Sequence, residues 1–117
     1  MAKQKRRKIA TMIKVTRYAD RIEMRGHANY AEHGKDIVCA GVSTLIQTLI
    51  QSVEELTADK IEYSMSPGTV DIKFWCLSGE TKTLIDAFFI GVQLIANTYP
   101  ENVRVTGPGV DDLKSNG

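Results

Sequence analysis

The sequence predicts an α+β domain in which a mostly antiparallel sheet of about five strands carries two long helices on one face. Short segments with alternating apolar and polar residues come in two neighbouring pairs, which is the pattern of β-hairpins. Two longer segments repeat apolar residues at steps of three and four, as amphipathic helices do. Single strands do not alternate regularly with helices, so a fully parallel sheet is not expected. The predicted element order is ββαββαβ.

The composition is typical of one soluble globular domain. The chain has 117 residues, of which 43% are hydrophobic and 25% charged, and its net charge of +1 gives no overall attraction to nucleic acid. The first apolar run begins at Ile9 and is soon interrupted by Lys14 and Arg17. It is too short for a signal-peptide core or a membrane span. We therefore expect a cytoplasmic protein without membrane contact.

Three regions follow from the distribution of charges and turn-forming residues. Residues 1–8 form a basic tail with little apolar surface to bury, which favours disorder. Its lysines and arginines would also suit a weak contact with RNA phosphates. Residues 9–106 contain all the predicted elements and form a single domain. Residues 107–117 are a polar C-terminal tail that opens with a Gly-Pro-Gly turn.

The first two strands form a predicted hairpin. Residues 9–18 alternate between apolar and polar side chains, and a reversal at Ala19 and Asp20 leads to a second alternating run. The residues expected to share the inner side are Ile9, Thr11, Ile13 and Val15 in the first strand and Ile22 and Met24 in the second. Gly26 ends the second strand, and His27 follows at its edge.

The segment 28–35 is polar and has no apolar periodicity, which predicts a mobile loop. Asp36 is then expected to begin a helix of about five turns. Its apolar stripe is predicted to consist of Val38, Val42, Leu45, Leu49, Val53 and Leu56.

The second hairpin is predicted around a turn at Ser66, Pro67 and Gly68, because proline presets φ and glycine accepts a positive φ. Its alternating apolar residues are Ile61, Tyr63 and Met65 before the turn and Val70, Ile72, Phe74 and Cys76 after it. Cys76 falls on the apolar side and is interpreted as a small core residue.

Ser78 is predicted to cap the second helix, which should end near Tyr99 because a proline follows. Its main apolar stripe is predicted to be Leu84, Ile85, Phe88, Val92 and Ile95. Phe89 and Leu94 point away from that stripe, so this helix is expected to be either deeply buried or paired with another subunit. Residues 103–106 give a short last strand.

The rare nucleophilic and basic side chains cluster between Gly26 and Ser43. Both histidines and one of the two cysteines lie there. With Asp36 as the N-cap, Cys39 falls at the third helical position, where the helix dipole favours a thiolate. His27 would accept the thiol proton, and the free amides of the first turn would hold an oxyanion. These are the groups that acyl transfer requires, with Cys39 as nucleophile and His27 as base.

Several roles stay open on the residues alone. The negative charge of Asp36 disfavours a Cys39 thiolate, unless Asp36 is engaged in capping the helix or orients His27. Ser43 lies one helical turn beyond Cys39 and either hydrogen-bonds near the thiol or bonds back to a helix carbonyl. His33 is a rival base within the loop. The simplest alternative is that Cys39 is a buried structural thiol.

No metal or cofactor site is predicted. The two cysteines and two histidines lack the paired C-x-x-C or H-x-x-x-H spacing of structural zinc sites. In an intracellular chain the thiols are expected to be reduced rather than joined in a disulfide.

The residues Gly26-His27, Gly34, Asp36-Ile37-Val38-Cys39-Ala40 and Val42-Ser43 form a pattern that resembles the ribosomal-processing cysteine proteases of the Prp family. The order and length of the elements are similar over about residues 9–106. The spacing from His27 to Cys39 is far more specific than either residue alone. The basic tail is not part of the resemblance.

The resemblance implies a homodimeric protease that removes the N-terminal extension of large-subunit ribosomal protein twenty-seven. The cut would follow a Phe-Phe pair in a short apolar segment, and residues 28–35 would close over the substrate. By motif position, Cys39 would be the nucleophile and His27 the base. The residues in supporting roles would be Asp36, Ser43, Gly26 and Gly34.

Two other functions also fit the sequence. One is a non-catalytic, ribosome-associated module that binds RNA or protein through the basic tail and an exposed strand face. The other is a redox sensor that uses Cys39 as a reactive thiol.

Overall fold

A computed structural model of the chain describes residues 12–26 and 33–107, without the side chains of residues 33–36. The elements are β1 (Ile13–Arg17), β2 (Arg21–Arg25), α1 (His33–Leu56), β3 (Ile61–Ser66), β4 (Thr69–Phe74), α2 (Gly79–Thr98) and β5 (Val103–Thr106). The predicted order ββαββαβ is confirmed. The basic tail and nearly all of the C-terminal tail lie outside the described residues.

The five strands form one sheet in the order β3-β4-β2-β1-β5. The pairs β3–β4, β4–β2 and β2–β1 are antiparallel, whereas β1 and β5 are parallel. The sheet is therefore mixed, with a single parallel pair at one edge. The physical reason is α2, which carries the chain back across the sheet so that β5 runs in the same direction as β1.

The alternation predicted for β1, β2 and β4 is confirmed by their burial, whereas β3 is exposed on both faces beyond Ile61 and does not show it. The buried strand residues are Ile13, Val15, Ile22, Met24, Val70, Ile72, Phe74 and Val103, and they join the helices in one core. The opposite face is polar and carries ion pairs such as Arg25–Asp71 at 2.9 Å and Arg21–Glu23 at 3.1 Å. Such exposed pairs contribute little to stability. The buried residues place the core of the domain between the sheet and the helix layer.

The buried side of α1 differs in part from the predicted stripe. Its buried residues are Val38, Val42, Ile46, Leu49, Ile50 and Val53. Leu45 is partly buried and packs against the core, as the stripe predicts, whereas Leu56 is 67% exposed and was wrongly included in it. Residues 37–56 are long and apolar enough to cross a membrane by length and composition, and the buried side of this segment packs in the core of the domain.

The second helix is buried more deeply than one stripe would allow. Phe89 is 1% exposed and stacks edge-on with Phe88, their ring centroids 4.9 Å apart. The guanidinium of Arg17 lies 5.0 Å from the centroid of the Phe89 ring, and it bonds Asp86 at 2.6 Å. These contacts attach α2 to β1. Leu94, by contrast, is 62% exposed on the outer side of the helix.

The two helices approach each other closely at two glycines. A β-carbon on Gly91 would lie 3.0 Å from the Leu45 side chain, and one on Gly41 would lie 3.2 Å from Ile95. The absence of these β-carbons lets the antiparallel helices pack at short range. The two glycine contacts lie one helical turn apart, so the same side of α1 faces α2 at both.

The predicted N-cap of α2 is confirmed. The hydroxyl of Ser78 accepts a hydrogen bond from the Thr81 amide at 3.3 Å. The Ser78 amide and hydroxyl donate to Asp59 at 2.9 and 2.7 Å. The hydroxyl of Thr81, together with both Ser78 donors, holds the pKa of Asp59 below its ordinary value.

We expect Ser78→Ala to lower the free energy of unfolding by about 1 kcal/mol, because the first turn of α2 loses its cap. Asp59 has a depressed pKa in the folded state, so its contribution is complete above its unfolded pKa and is lost as the pH falls through the folded pKa. The difference between wild type and Ser78→Ala should therefore shrink in strong acid. Urea unfolding at pH 7 and below pH 4 measures both effects, and equal stability at pH 7 would contradict this role.

Candidate active site

Three elements meet around one apolar groove of about 380 Å³: the end of β2, the second turn of α1 and the β3–β4 turn. Cys39 and Ser43 line it from the helix, Met65 and Pro67 from the second hairpin, and Gly26 from the end of β2. Every described residue that lines the groove is uncharged. The groove is therefore suited to an apolar, uncharged ligand segment.

Cys39 is a free, half-buried thiol that packs against the core and lines the groove. It is the seventh residue of a helix that begins at His33, so the prediction that Asp36 begins the helix is wrong. The first helical turn needs no apolar residue, and a glycine there costs only about 1 kcal/mol, so the polar residues before Asp36 can be helical. The helix also takes in the last three residues of the predicted loop 28–35.

The earlier helix start places the Cys39 thiol beyond the first turn of α1. The free amides and most of the dipole effect belong to the first turn of a helix. Cys39 lies one turn further on, where its amide is within the regular helical bonding pattern. The expectation that first-turn amides activate Cys39 and hold an oxyanion therefore loses its basis. Activation of the thiol would depend on a neighbouring base instead.

Gly26 fixes the point at which the chain leaves β2. Its φ is +95°, and its amide donates to the carbonyl of Gly68 at 2.9 Å. A β-carbon at this position would lie 2.2 Å from the carbonyl oxygen of Met12. Only glycine fits both the positive φ and this close approach. The end of β2 is thereby held against the β3–β4 turn, at the edge of the groove.

The other predicted site residues are placed as follows. Ser43 lies one turn after Cys39 and is partly buried in the same groove. Gly34 and Asp36 lie in the first turn of α1, and the Asp36 side chain falls outside the described part of the chain. His27 follows Gly26 directly and lies outside it too, so the pairing of His27 with Cys39 stays a prediction.

Cys76 and His33 do not occupy the positions expected from the sequence. Cys76 is exposed, with a φ of 39°, so its interpretation as a core residue is wrong. The reason is that β4 ends at Phe74, and the alternation does not continue beyond it. His33 begins α1 rather than lying within a loop. Among the described side chains, no three of His, Cys, Asp or Glu form a cluster that could hold a metal ion.

The wall of the groove opposite Cys39 was missed by sequence reasoning. Met65, Pro67 and Val70 belong to the second hairpin, far along the chain from the cysteine. They reach it because β4 pairs with β2, with Val70 opposite Met24. The turn at Pro67 was predicted, and the long-range strand pairing that brings it to Cys39 was not.

A half-buried free thiol beside a groove whose described lining is uncharged is the kind of arrangement that cysteine hydrolases use to bring a nucleophile to an acyl group. The family profile described as "Cysteine protease Prp" matches residues 9–104. The chain belongs to this family of cysteine proteases.

Relatives of known name support the same assignment. The chain is 33% identical over 91 residues to the ribosomal processing cysteine protease Prp of Bacillus subtilis, a match that covers 72% of this chain and 81% of the relative. It is 34% identical over 96 residues to the protein of that name from Mycoplasma genitalium, covering 80% and 94%.

Solved structures share the fold. The crystal structure of SMU.848 from Streptococcus mutans matches with a TM-score of 0.75 and 30% identity, covering 83% of this chain and 94% of that one. The S. aureus ribosomal processing protease Prp, in complex with a covalently linked product peptide, matches with a TM-score of 0.71 and 24% identity, covering 82% and 97%. The mixed five-stranded sheet with two helices is thus the architecture of this family.

Proposed function

We propose that this chain is an endopeptidase that removes the N-terminal extension of large-subunit ribosomal protein twenty-seven, cutting after a Phe-Phe pair, in the cytoplasm. The observation that carries the proposal is the position of Cys39, a free thiol on the wall of an uncharged apolar groove. The relatives named as ribosomal processing proteases support the substrate class.

In the proposed reaction, His27 takes the thiol proton of Cys39, and the sulfur attacks the carbonyl carbon of the residue before the cut. The tetrahedral intermediate collapses, the C–N bond breaks, and His27 returns the proton to the leaving amine. Water, deprotonated by His27, then attacks the thioester, which releases the carboxylic acid and restores the thiol. Ser43 and Asp36 support the two reacting side chains.

The groove suits an aromatic side chain before the cut. Burying a phenylalanine ring contributes about 1.5–3 kcal/mol, and the described lining of the groove holds no charged side chain that would reduce this gain. Met24 and Met65 both line the groove, and their thioethers adapt to aromatic rings at favourable sulfur–ring contacts. An acidic or basic residue at the same position would have to be desolvated with no charged partner among the described residues that line the groove.

The direct test is cleavage of a synthetic peptide that carries the extension and the first residues of the mature ribosomal protein. Mass spectrometry should show one cut, after the second phenylalanine. A matched peptide with aspartate in place of that phenylalanine should remain intact. No cleavage of the first peptide, or cuts spread along it, would refute the proposed function.

We also propose that the protein is a homodimer joined through the outer helical face, defined as Ile37, Leu45, Ile90 and Leu94. Ile37, Ile90 and Leu94 are 50–62% exposed, and Leu45 is partly buried beside Gly91. Residues 37–53 and 87–98 contain no charged side chain. An uncharged exposed patch on paired helices is typical of a self-association surface.

We expect Leu94→Glu to convert the dimer to a monomer, because the introduced charge would be desolvated at the centre of the interface. Trp75→Glu is the matched control, since Trp75 is 57% exposed but lies with the polar face of the sheet. Sedimentation equilibrium measures both variants. A dimer that survives Leu94→Glu would place the interface elsewhere.

A further inference from the structure

One edge of the described sheet is formed by β3, which pairs only with β4 among the described strands. The two strands are joined by the two-residue turn Pro67-Gly68, with Ser66 opposite Thr69. In such a hairpin the residues flanking the turn form a hydrogen-bonded pair, and bonded and non-bonded pairs alternate from there. The amides and carbonyls of Ile61, Tyr63 and Met65 therefore point outward, away from β4.

The same three residues carry the apolar side chains of β3. Tyr63 pairs with Ile72 and Met65 with Val70, so each shares a face with a residue of the core. Ile72 and Val70 are 1% and 3% exposed, whereas Tyr63 and Met65 are 45% and 46% exposed. The core covers β4 and the start of β3, where Ile61 is partly buried, but it leaves Tyr63 and Met65 uncovered. This strand thus presents outward backbone groups and uncovered apolar side chains together.

The edge is continuous with the candidate active site. Met65 belongs to β3 and also lines the groove that contains Cys39. From Met65 the strand leads away from the groove to Ile61, a length of roughly 13 Å at about 3.3 Å per residue. Natural proteins protect exposed edges with prolines or inward-pointing charges, and β3 has neither on its apolar side.

We infer that substrate binds to β3 by strand addition: the segment before the cut pairs as a sixth strand along Ile61, Tyr63 and Met65, and its last residue enters the groove beside Cys39. This inference rests on the proposed function and adds the mode of recognition. About five substrate residues fit along the edge. Their backbone bonds provide affinity, and alternate side chains pack on Tyr63 and Met65.

The first experiment measures kcat/KM for two substrates, with the wild-type protein and with the variant Tyr63→Pro. Proline removes the outward amide of Tyr63 and is tolerated on an edge strand, so the pairing with β4 is kept. The long substrate is the complete extension with the cut site, and the short one keeps only the Phe-Phe pair and the residues after it. We expect kcat/KM to fall about tenfold for the long substrate, the effect of about 1.4 kcal/mol, and to stay unchanged for the short one. Ser64→Ala, on the opposite face of β3, should alter neither.

A second experiment needs no protein variant. Single N-methyl groups are placed in turn on the backbone amides of the long substrate before the cut. Strand addition predicts that kcat/KM falls at every second position, because only alternate amides point towards β3. Equal effects at successive positions, or none, would overturn the inference.

The outcomes separate the inference from the proposed function. If wild type cleaves neither substrate, the proposed function is wrong and the inference falls with it. If wild type cleaves both and Tyr63→Pro lowers kcat/KM equally for both, strand addition is wrong. A change from dimer to monomer in Tyr63→Pro, with equal losses on both substrates, would instead assign the β3 edge to a second copy of the chain.

Discussion

Replacing Cys39 by alanine should lower kcat/KM for the extension peptide by at least about a thousandfold, because no other group replaces a covalent nucleophile. Cys39 is half-buried and lines the groove, so the small alanine side chain leaves its walls in place. The peptide should still bind to the variant. Steady-state kinetics give the loss of turnover, and fluorescence anisotropy of a labelled peptide gives the binding.

Cys76→Ser is the matched control for Cys39→Ala. Cys76 is the other cysteine of the chain and is an exposed free thiol away from the groove. Its replacement should leave kcat/KM within about twofold of wild type, as expected of an exposed residue far from a site. If Cys39→Ala processes the peptide as wild type does, the catalytic role is wrong and a non-catalytic binding module becomes the better interpretation.

Gly26→Ala should lower the free energy of unfolding by at least about 2 kcal/mol, because it forces a side chain into a positive φ and against the backbone. The added β-carbon would lie 2.2 Å from the Met12 carbonyl oxygen, and backbone cannot move aside as a flexible side chain can. The end of β2 would shift, and with it the start of the segment that carries His27. Activity should therefore fall further than the loss of folded protein explains.

Gly79→Ala separates this effect from a general cost of replacing glycine. Gly79 begins α2, and a β-carbon there meets nothing within 4 Å. Alanine has the higher helix propensity, so this variant should be equal to wild type or more stable by up to about 1 kcal/mol. Thermal melts of both variants measure the contrast. A Gly26→Ala protein as stable as Gly79→Ala would show that Gly26 is not constrained.

Local patterns predicted most of the fold, because burial on one face of a strand or helix repeats along the chain. The alternation of Ile22 and Met24 and the cap at Ser78 depend on neighbours within a few residues, and both predictions are confirmed. Cys76 continues the alternation of β4 in the sequence, but the strand ends before it. A periodic pattern does not show where the chain turns away.

The candidate site was less predictable because its second wall is distant in sequence. The pattern from Gly26 to Ser43 identified Cys39, and the structure places Cys39 and Ser43 together in the groove. Met65 joins them only through the pairing of β4 with β2, which no local signal specifies. The helix start was misplaced because residues 33–35 are polar and have no apolar periodicity, although they form part of the first helical turn. The predicted role of first-turn amides at Cys39 was wrong for the same reason.

The parallel pairing of β1 with β5 has a consequence for how the protein is made. The two strands are joined side by side, with the hydroxyls of Thr16 and Thr106 3.0 Å apart across 90 residues of sequence. During synthesis, β1 is made before β5, and it can pair with β5 only after the residues between the two strands have been added. Such non-local closure slows folding. Until β5 arrives, β1 is an unprotected edge, so a chain interrupted before Val103 would be prone to aggregation.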